Sequence, residues 1–184
     1  MTLVFNIIDP FVKLLGESGK ILSDITFASI LLRLALAIIF GGWIGIDRAT
    51  KRHSAGLRTY ILVCLGSTIV MLTNQYLYQT FETGDVARLG AQVISGIGFL
   101  GAGTILVTSR SQIKGLTTAA GLWACACVGL TIGIGFYTLA IIAFILVAIV
   151  ISILPKLEQY FTSRSGIYSY HVEFISEENL KPFI

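Results

Sequence analysis

Five long apolar segments, separated by short polar ones, dominate the pattern of hydrophobic and polar positions in this 184-residue chain. They cover about residues 26–46, 57–77, 86–107, 115–133 and 136–154. Each is close to the roughly 20 residues that an α-helix needs to cross the hydrocarbon core of a bilayer. The pattern predicts an all-α membrane protein with five transmembrane helices.

Composition supports this class and excludes a soluble domain. Hydrophobic residues make up 55% of the chain and charged residues 12%, with a mean hydropathy of +0.84, whereas soluble domains contain about 25% charged residues. The basic residues gather in loops, which is an orientation signal rather than a nucleic-acid footprint. All three cysteines fall inside predicted spans, so we expect free thiols and neither a disulfide framework nor a metal site.

Loop charge predicts the orientation of the chain. The loop between the first two spans is strongly basic, and the loop between the third and fourth holds Arg110 and Lys114, while the other two loops carry no basic excess. By the positive-inside rule, the basic loops lie in the cytoplasm. With five spans, the N-terminus is then periplasmic and the C-terminus cytoplasmic.

Three regions follow from this arrangement. Residues 1–25 mix apolar and charged positions and predict an interfacial segment on the periplasmic side. Residues 26–155 form the transmembrane domain. In residues 156–184, alternation over 168–175 predicts a strand, which either begins a cytoplasmic α+β domain or pairs with another chain.

An internal repeat relates the first two predicted hairpins. Adding 59 to a position in the first hairpin reaches a similar residue in the second, as in Phe40 and Phe99, Gly42 and Gly101, Ile46 and Ile105, Lys51 and Arg110, Gly56 and Gly115, Leu57 and Leu116, Thr59 and Thr118. A true repeat would be parallel, with its pseudo-two-fold axis along the membrane normal. The alternative is that two hairpins rich in small residues resemble each other because both pack tightly.

The repeated turns, GLRT at 56–59 and GLTT at 115–118, open helices at the predicted cytoplasmic face. Unpaired N–H groups there, with nearby hydroxyls and cations, suit phosphate, another anion or an acidic partner. The alternative is that the threonines cap their helices and the arginines only set orientation. The candidate ligand- or partner-binding residues of this cytoplasmic mouth are Asp47, Arg48, Arg52, Arg58, Thr59, Thr117 and Thr118.

Several polar residues fall inside the predicted spans, and the candidate sites among them are Arg33, Asn74, Gln92 and Ser95, with Gln75 beside Asn74. Arg33 and Gln92 are repeat-equivalent. An arginine at that depth is costly unless it snorkels or has a partner, and both roles stay open for Arg33.

Small residues concentrate in the third span, whose glycines include Gly98, Gly101 and Gly103. Helices approach closely where side chains are small, so we expect this span to be the central helix and assign packing roles to these glycines, Gly115 and Trp123. The alternative is that some glycines expose carbonyls to an ion path.

Absent groups limit the chemistry. The predicted spans contain no carboxylate except Asp47 at one margin, and no nucleophile–base arrangement. Sites for Mg²⁺ use oxygen ligands that usually include carboxylates. We therefore predict no enzyme activity, no cofactor and no resident metal.

Three blocks of sequence resemble the MgtC/SapB family of bacterial inner-membrane proteins. They are GIDR at 45–48 with AGLRT at 55–59, QVISGIGFLGAG at 92–103, and GLTTAAGLW at 115–123. Asp47 stands where the family typically has glutamate, and Ala124 where virulence-associated members carry cysteine. The resemblance implies a five-helix inner-membrane domain, followed in many members by an ACT-like cytoplasmic domain that the strand at 168–175 would begin.

Two functions follow from the residues and the resemblance together. The first is a regulator of magnesium adaptation, intracellular survival or virulence that binds other membrane proteins, such as the F-type ATP synthase, or copies of itself in an oligomer. The second is a transporter or channel, whose path would use Arg33, Gln92, Ser95 and the two turns and would favour an anion over Mg²⁺. A sealed, packed repeat interface would favour the regulator, and a polar cavity would favour transport.

Overall fold

The structure is a computed structural model that describes residues 9, 12, 24–51, 53–81, 85–107 and 113–164, with backbone only at 106–107 and 162–164. Most of the predicted N-terminal segment 1–25, the predicted strand 168–175 and the candidate Arg52 lie outside the described residues.

Within these residues the chain is mostly helical, as predicted. Two antiparallel two-residue strands, β1 (Leu106–Val107) and β2 (Ile113–Lys114), pair Leu106 with Lys114 and Val107 with Ile113. The helices are α1 (Phe27–Thr50), α2 (Leu57–Phe81), α3 (Arg88–Gly103), α4 (Leu116–Gly133), α5 (Tyr137–Ser152) and α6 (Leu154–Arg164).

Four apolar helical segments of the described chain are long enough to cross a membrane: α1, α2, α4, and the continuous run of α5 and α6 from Tyr137 to Phe161. The chain is therefore a multi-pass membrane protein. The third predicted span, residues 86–107, is not confirmed as a transmembrane helix, because α3 has 16 residues and a length of about 24 Å, less than a hydrocarbon core of about 30 Å. It ends where the Thr104 hydroxyl donates to the Gly101 carbonyl oxygen at 2.8 Å, before the chain enters β1.

α1 begins at a capping box and ends later than the hydropathy pattern suggests. The Thr26 hydroxyl accepts from the Ser29 backbone N–H at 3.2 Å, and the Ser29 hydroxyl accepts from the Thr26 N–H at 2.9 Å. At the other end the helix continues to Thr50, so Asp47 and Arg48 belong to its last turns and not to a loop. An ion pair of 2.8 Å between Lys51 and Asp47, four residues apart, favours this extension.

α2 and α4 form the centre of the bundle, so the prediction that the third span is central is wrong. A Cβ at Gly133 would lie 2.7 Å from the Thr68 carbonyl oxygen, and one at Gly129 would overlap the Cys64 carbonyl oxygen. α1 packs on α2 with similar closeness, whereas α3 lies outside against α4 and α2. Because lipid is as apolar as a protein core, glycine content does not show which helix is surrounded by others.

α6 continues the helical path past the predicted domain boundary at residue 155. Pro155 is the second residue of α6, in the first turn, where its missing N–H has no intrahelical partner to lose. The division of the chain into regions at 25 and 155 stays a prediction.

Candidate functional site at the shared end of the hairpins

Arg48 lies in the last turn of α1 and is the most unusual side chain at this end of the bundle. It is 2% exposed. Its Nη1 lies 3.2 Å from His53 Nε2, while its Nε and Nη2 have no hydrogen-bond partner among the described residues. A buried guanidinium with two unpaired N–H groups is unfavourable, so these two atoms mark a place where a ligand would be stabilised.

His53 contacts Arg48 in its neutral form. A guanidinium has donors only, so Nε2 of His53 accepts and the ring proton resides on Nδ1. Desolvation of the ring, followed by the Arg48 and Lys51 cations, lowers the pKa of His53 below its ordinary value, against a smaller opposing effect of Asp47. His53 therefore adds no positive charge beside Arg48 at neutral pH.

Asp47, the predicted companion of Arg48, is engaged elsewhere. Its carboxylate pairs with Lys51, and both side chains are partly exposed. Arg48 and Asp47 are neighbours in sequence but point to different surroundings, since one is buried and the other is not.

The first turns of α2 and α4 meet. The hydroxyl of Tyr60, which is fully buried, donates to the Thr118 carbonyl oxygen at 3.5 Å. Gly121 makes room for this ring, because a Cβ there would lie 2.6 Å from the Tyr60 hydroxyl oxygen.

The other residues of the predicted cytoplasmic mouth separate into buried and exposed ones. Thr118 is buried, Thr59 is half-buried, and Arg58 and Thr117 are exposed. Arg58 and Thr59 border an apolar groove between α2 and α3 with a volume of about 520 Å³. The structure therefore does not gather all the predicted residues around one point.

Arg33 has an interior role and does not snorkel. It is 0% exposed. Its Nη1 donates to Gln75 Oε1 at 2.8 Å and to the Gly133 carbonyl oxygen at 2.9 Å, and its Nε donates to the Tyr137 hydroxyl at 3.2 Å. The guanidinium occupies the space that a side chain at Gly135 would need.

The remaining intramembrane polar residues do not join Arg33. Asn74 is buried and donates to the Val86 carbonyl oxygen at one end of α2. Gln92 and Ser95 are exposed on α3. The repeat-equivalent positions 33 and 92 thus differ in burial, and the polar residues of the predicted path are not assembled in this chain.

The predicted packing residues also divide. A Cβ at Gly115, which has a φ of +98°, would overlap the Thr104 carbonyl oxygen, and one at Gly101 would lie 3.4 Å from the Ala119 Cβ. Around Gly98 and Gly103 no described heavy atom lies within 4 Å of such a Cβ. Trp123 is 48% exposed. Gly98 and Gly103 therefore make no tight contact within the described chain, and about half of Trp123 is uncovered.

Sequence reasoning missed four groups that build these sites: His53, Tyr60, Tyr137 and Gly121. His53 stands in the basic loop, five residues after Arg48, and could have been found as a local partner. Tyr60, Tyr137 and Gly121 come from other helices, and no local pattern in the sequence indicates their contacts.

Comparison with known proteins supports the membrane assignment. The sequence model of the MgtC family matches residues 34–160. The chain is 38% identical over 151 residues to "Putative magnesium transporter YhiD" of Escherichia coli K12, covering 79% of this chain and 68% of that protein. It is 40% identical to Protein SapB of Bacillus subtilis, covering 68% and 56%, and 38% identical to Protein MgtC of Salmonella typhimurium, covering 64% and 48%. The chain thus spans about half to two thirds of these relatives. No solved structure matches significantly.

Proposed function

Because the chain belongs to the MgtC family, we propose that it is a regulatory membrane protein that acts by binding other membrane proteins, including the F-type ATP synthase, during adaptation to low magnesium. The observation that carries this proposal is an unpartnered face on α3. Its small side chains are spaced as one helical stripe and are all exposed: Ala91, Ser95, Gly98 and Ala102.

Such a face favours a helix as its neighbour over lipid. Positions 91, 95, 98 and 102 follow the i, i+4, i+7, i+11 spacing of a single helix face. Flexible lipid chains fit any surface, whereas a second helix gains dispersion contacts by close approach over small residues. Phe99, 85% exposed beside this face, would add contact area to such an interface.

The packed interior supports a regulator over a transporter. Along the α2–α4 interface the Thr68 hydroxyl lies 2.9 Å from both the Cys64 and Gly129 carbonyl oxygens, and Gly129 and Gly133 bring the two backbones together. Four grooves lined by described residues contain none of Arg33, Gln92 and Ser95.

The printed name of the E. coli relative favours the alternative, magnesium transport. A Mg²⁺ path would need oxygen ligands, usually including carboxylates. Within the described part of the chain, no three His, Cys, Asp or Glu side chains come together as a metal site.

The deciding experiment compares two equal enlargements on different helices. Ala102→Leu fills the small face of α3, while Ala35→Leu adds the same atoms to an exposed position of α1. We expect both variants to fold, and only Ala102→Leu to reduce co-purification of the ATP synthase and the effect of the chain on ATP-driven proton pumping in inverted vesicles, by about tenfold or more.

Equal pumping and equal co-purification in both variants would refute the proposed interface. Loss of self-association, measured as particle mass in detergent, would instead assign the face to a second copy of this chain. Saturable Mg²⁺ uptake by liposomes containing the purified wild-type protein would show that the chain is a transporter, and would overturn the proposed regulatory function.

A further inference from the structure

The two unpaired nitrogens of Arg48 are not arbitrary. Nε and Nη2 form one edge of the guanidinium, and their N–H bonds are parallel and spaced to meet two oxygens of one oxyanion. We propose that this edge of Arg48, buried where α1 ends, is a binding site for a small phosphate-type oxyanion.

The charges around Arg48 call for an anion. Asp47 is paired with Lys51, and His53 approaches the third guanidinium nitrogen as a neutral acceptor. The described surroundings therefore leave the cation uncompensated. A buried charge without a counter-charge is strongly unfavourable, and an anion bound at two N–H groups removes that penalty.

Burial also restricts the size of the ligand. With 2% of Arg48 exposed, a folded partner has no surface to dock on, whereas a small oxyanion needs contact only with the two N–H groups. Chloride is a single acceptor atom on which both N–H bonds must converge, so it fits their parallel geometry less well than the two oxygens of one oxyanion. Two sources share the required chemistry: free inorganic phosphate, and the phosphate of an anionic phospholipid at the end of the helix bundle.

This site goes beyond the proposed regulatory function and does not depend on it. Arg48 lies on α1 and the small face lies on α3. Binding of the ion is measured on the purified chain without any partner protein, so failure of one proposal leaves the other intact.

The test uses the full chain in a maltoside detergent and a phosphate-free buffer. Inorganic phosphate is added at constant ionic strength against chloride, and Tm and calorimetric heat are recorded. We expect phosphate and not chloride to raise Tm in a saturable way. The bound charge should also raise the pKa of His53, which is visible in the NMR titration of its ring.

Variants locate the effect. Arg48→Lys keeps the charge but loses the two parallel donors, so phosphate should bind it about tenfold more weakly or worse. Arg88→Lys makes the same exchange at the exposed first residue of α3. This variant should bind phosphate as the wild type does. If Arg48→Lys fails to fold, two measurements on the wild type still test for the site: the comparison of phosphate with chloride, and the titration of His53.

Lipid is tested separately with nanodiscs containing phosphatidylglycerol. If the lipid raises Tm and added phosphate then has no further effect, the site binds a lipid headgroup. If only phosphate raises Tm, the site binds the free ion. Equal effects of phosphate and chloride, or an unchanged phosphate effect in Arg48→Lys, would overturn the proposal and leave water as the partner of Arg48.

Discussion

The two repeat-related hairpins, α1–α2 and α3–α4, pack in different ways. In the first, a Cβ at Gly41 would lie 2.8 Å from the Tyr60 carbonyl oxygen, and one at Gly45 would lie 2.7 Å from the Leu57 Cα. In the second, Gly101 makes ordinary contact with Ala119, and Gly98 has open space. The glycines of α1 join two helices of this chain, whereas most of those of α3 leave a surface unoccupied.

Repeat-equivalent side chains show the same contrast. Phe40 is 8% exposed and stacks on Phe144 with ring centroids 4.2 Å apart, while Phe99 is 85% exposed. Arg33 is buried, and Gln92 is exposed. Positions related by the offset of 59 residues thus agree on where the second helix of each hairpin begins, at Leu57 and Leu116. They do not agree on which side chains are buried.

The largest expected effect tests the turns that open those two helices. Gly115→Ala places a Cβ on the Thr104 carbonyl oxygen at a positive φ, and should destabilise the fold by about 3 kcal/mol. Gly56→Ala, its repeat equivalent, gains a contact of 3.5 Å with the Ala49 Cβ, and should change stability by less than about 0.5 kcal/mol. Unfolding in mixed SDS micelles measures both. Similar losses would mean that the two turns are equivalent after all.

The next effect concerns the paired positions 33 and 92. Arg33→Met leaves Gln75, Tyr137 and the Gly133 carbonyl without the donor that Arg33 supplied, at an expected cost of about 2–3 kcal/mol. Gln92→Met exchanges an exposed side chain, and should cost less than about 0.5 kcal/mol. A strong loss of stability for Gln92→Met in the same unfolding assay would show that the side of α3 that carries Gln92 is buried against another molecule.

A smaller effect separates the two sets of glycines. Gly41→Ala forces a Cβ against the α2 backbone and should destabilise the chain by about 1–2 kcal/mol. Gly98→Ala meets no described atom within 4 Å and should stabilise it by up to about 1 kcal/mol, since alanine is the better helix former. Thermal unfolding of the purified variants ranks their stabilities. The reverse order would remove the packing difference on which the comparison of the hairpins rests.

The smallest effect lies in the loop that joins α1 to α2. His53 has a lower pKa in the folded protein than its ordinary 6.5. The unfolded chain therefore takes up the proton first, so the free energy of unfolding should fall as pH drops below about 6.5. His53→Gln keeps an acceptor for Arg48 and should lose this part of the pH dependence. Parallel pH profiles for the two proteins would mean that the contact of His53 with Arg48 has no energetic role.

Local pattern explains why some positions were predictable. The starts of α2 and α4 follow the glycines of the motifs GLRT and GLTT, because glycine is a local structure breaker and bounds the apolar run that follows it. The end of α1 was placed four residues early, since Asp47 and Arg48 look like loop residues in a hydropathy profile although one is paired with Lys51 and the other is buried.

The sequence alone determined the membrane class, the family blocks, the helix starts and the candidate charges around Arg48. The tertiary structure alone decided that α2 and α4 are central, that Arg33 is interior, that Arg48 keeps an open edge, and that α3 exposes its small face. The reason is physical. Water distinguishes the inside of a soluble protein from its outside, but in a bilayer both sides of a helix are apolar. The hydrophobic pattern therefore shows which residues form helices. Which helices become neighbours is decided by close packing and by paired polar groups.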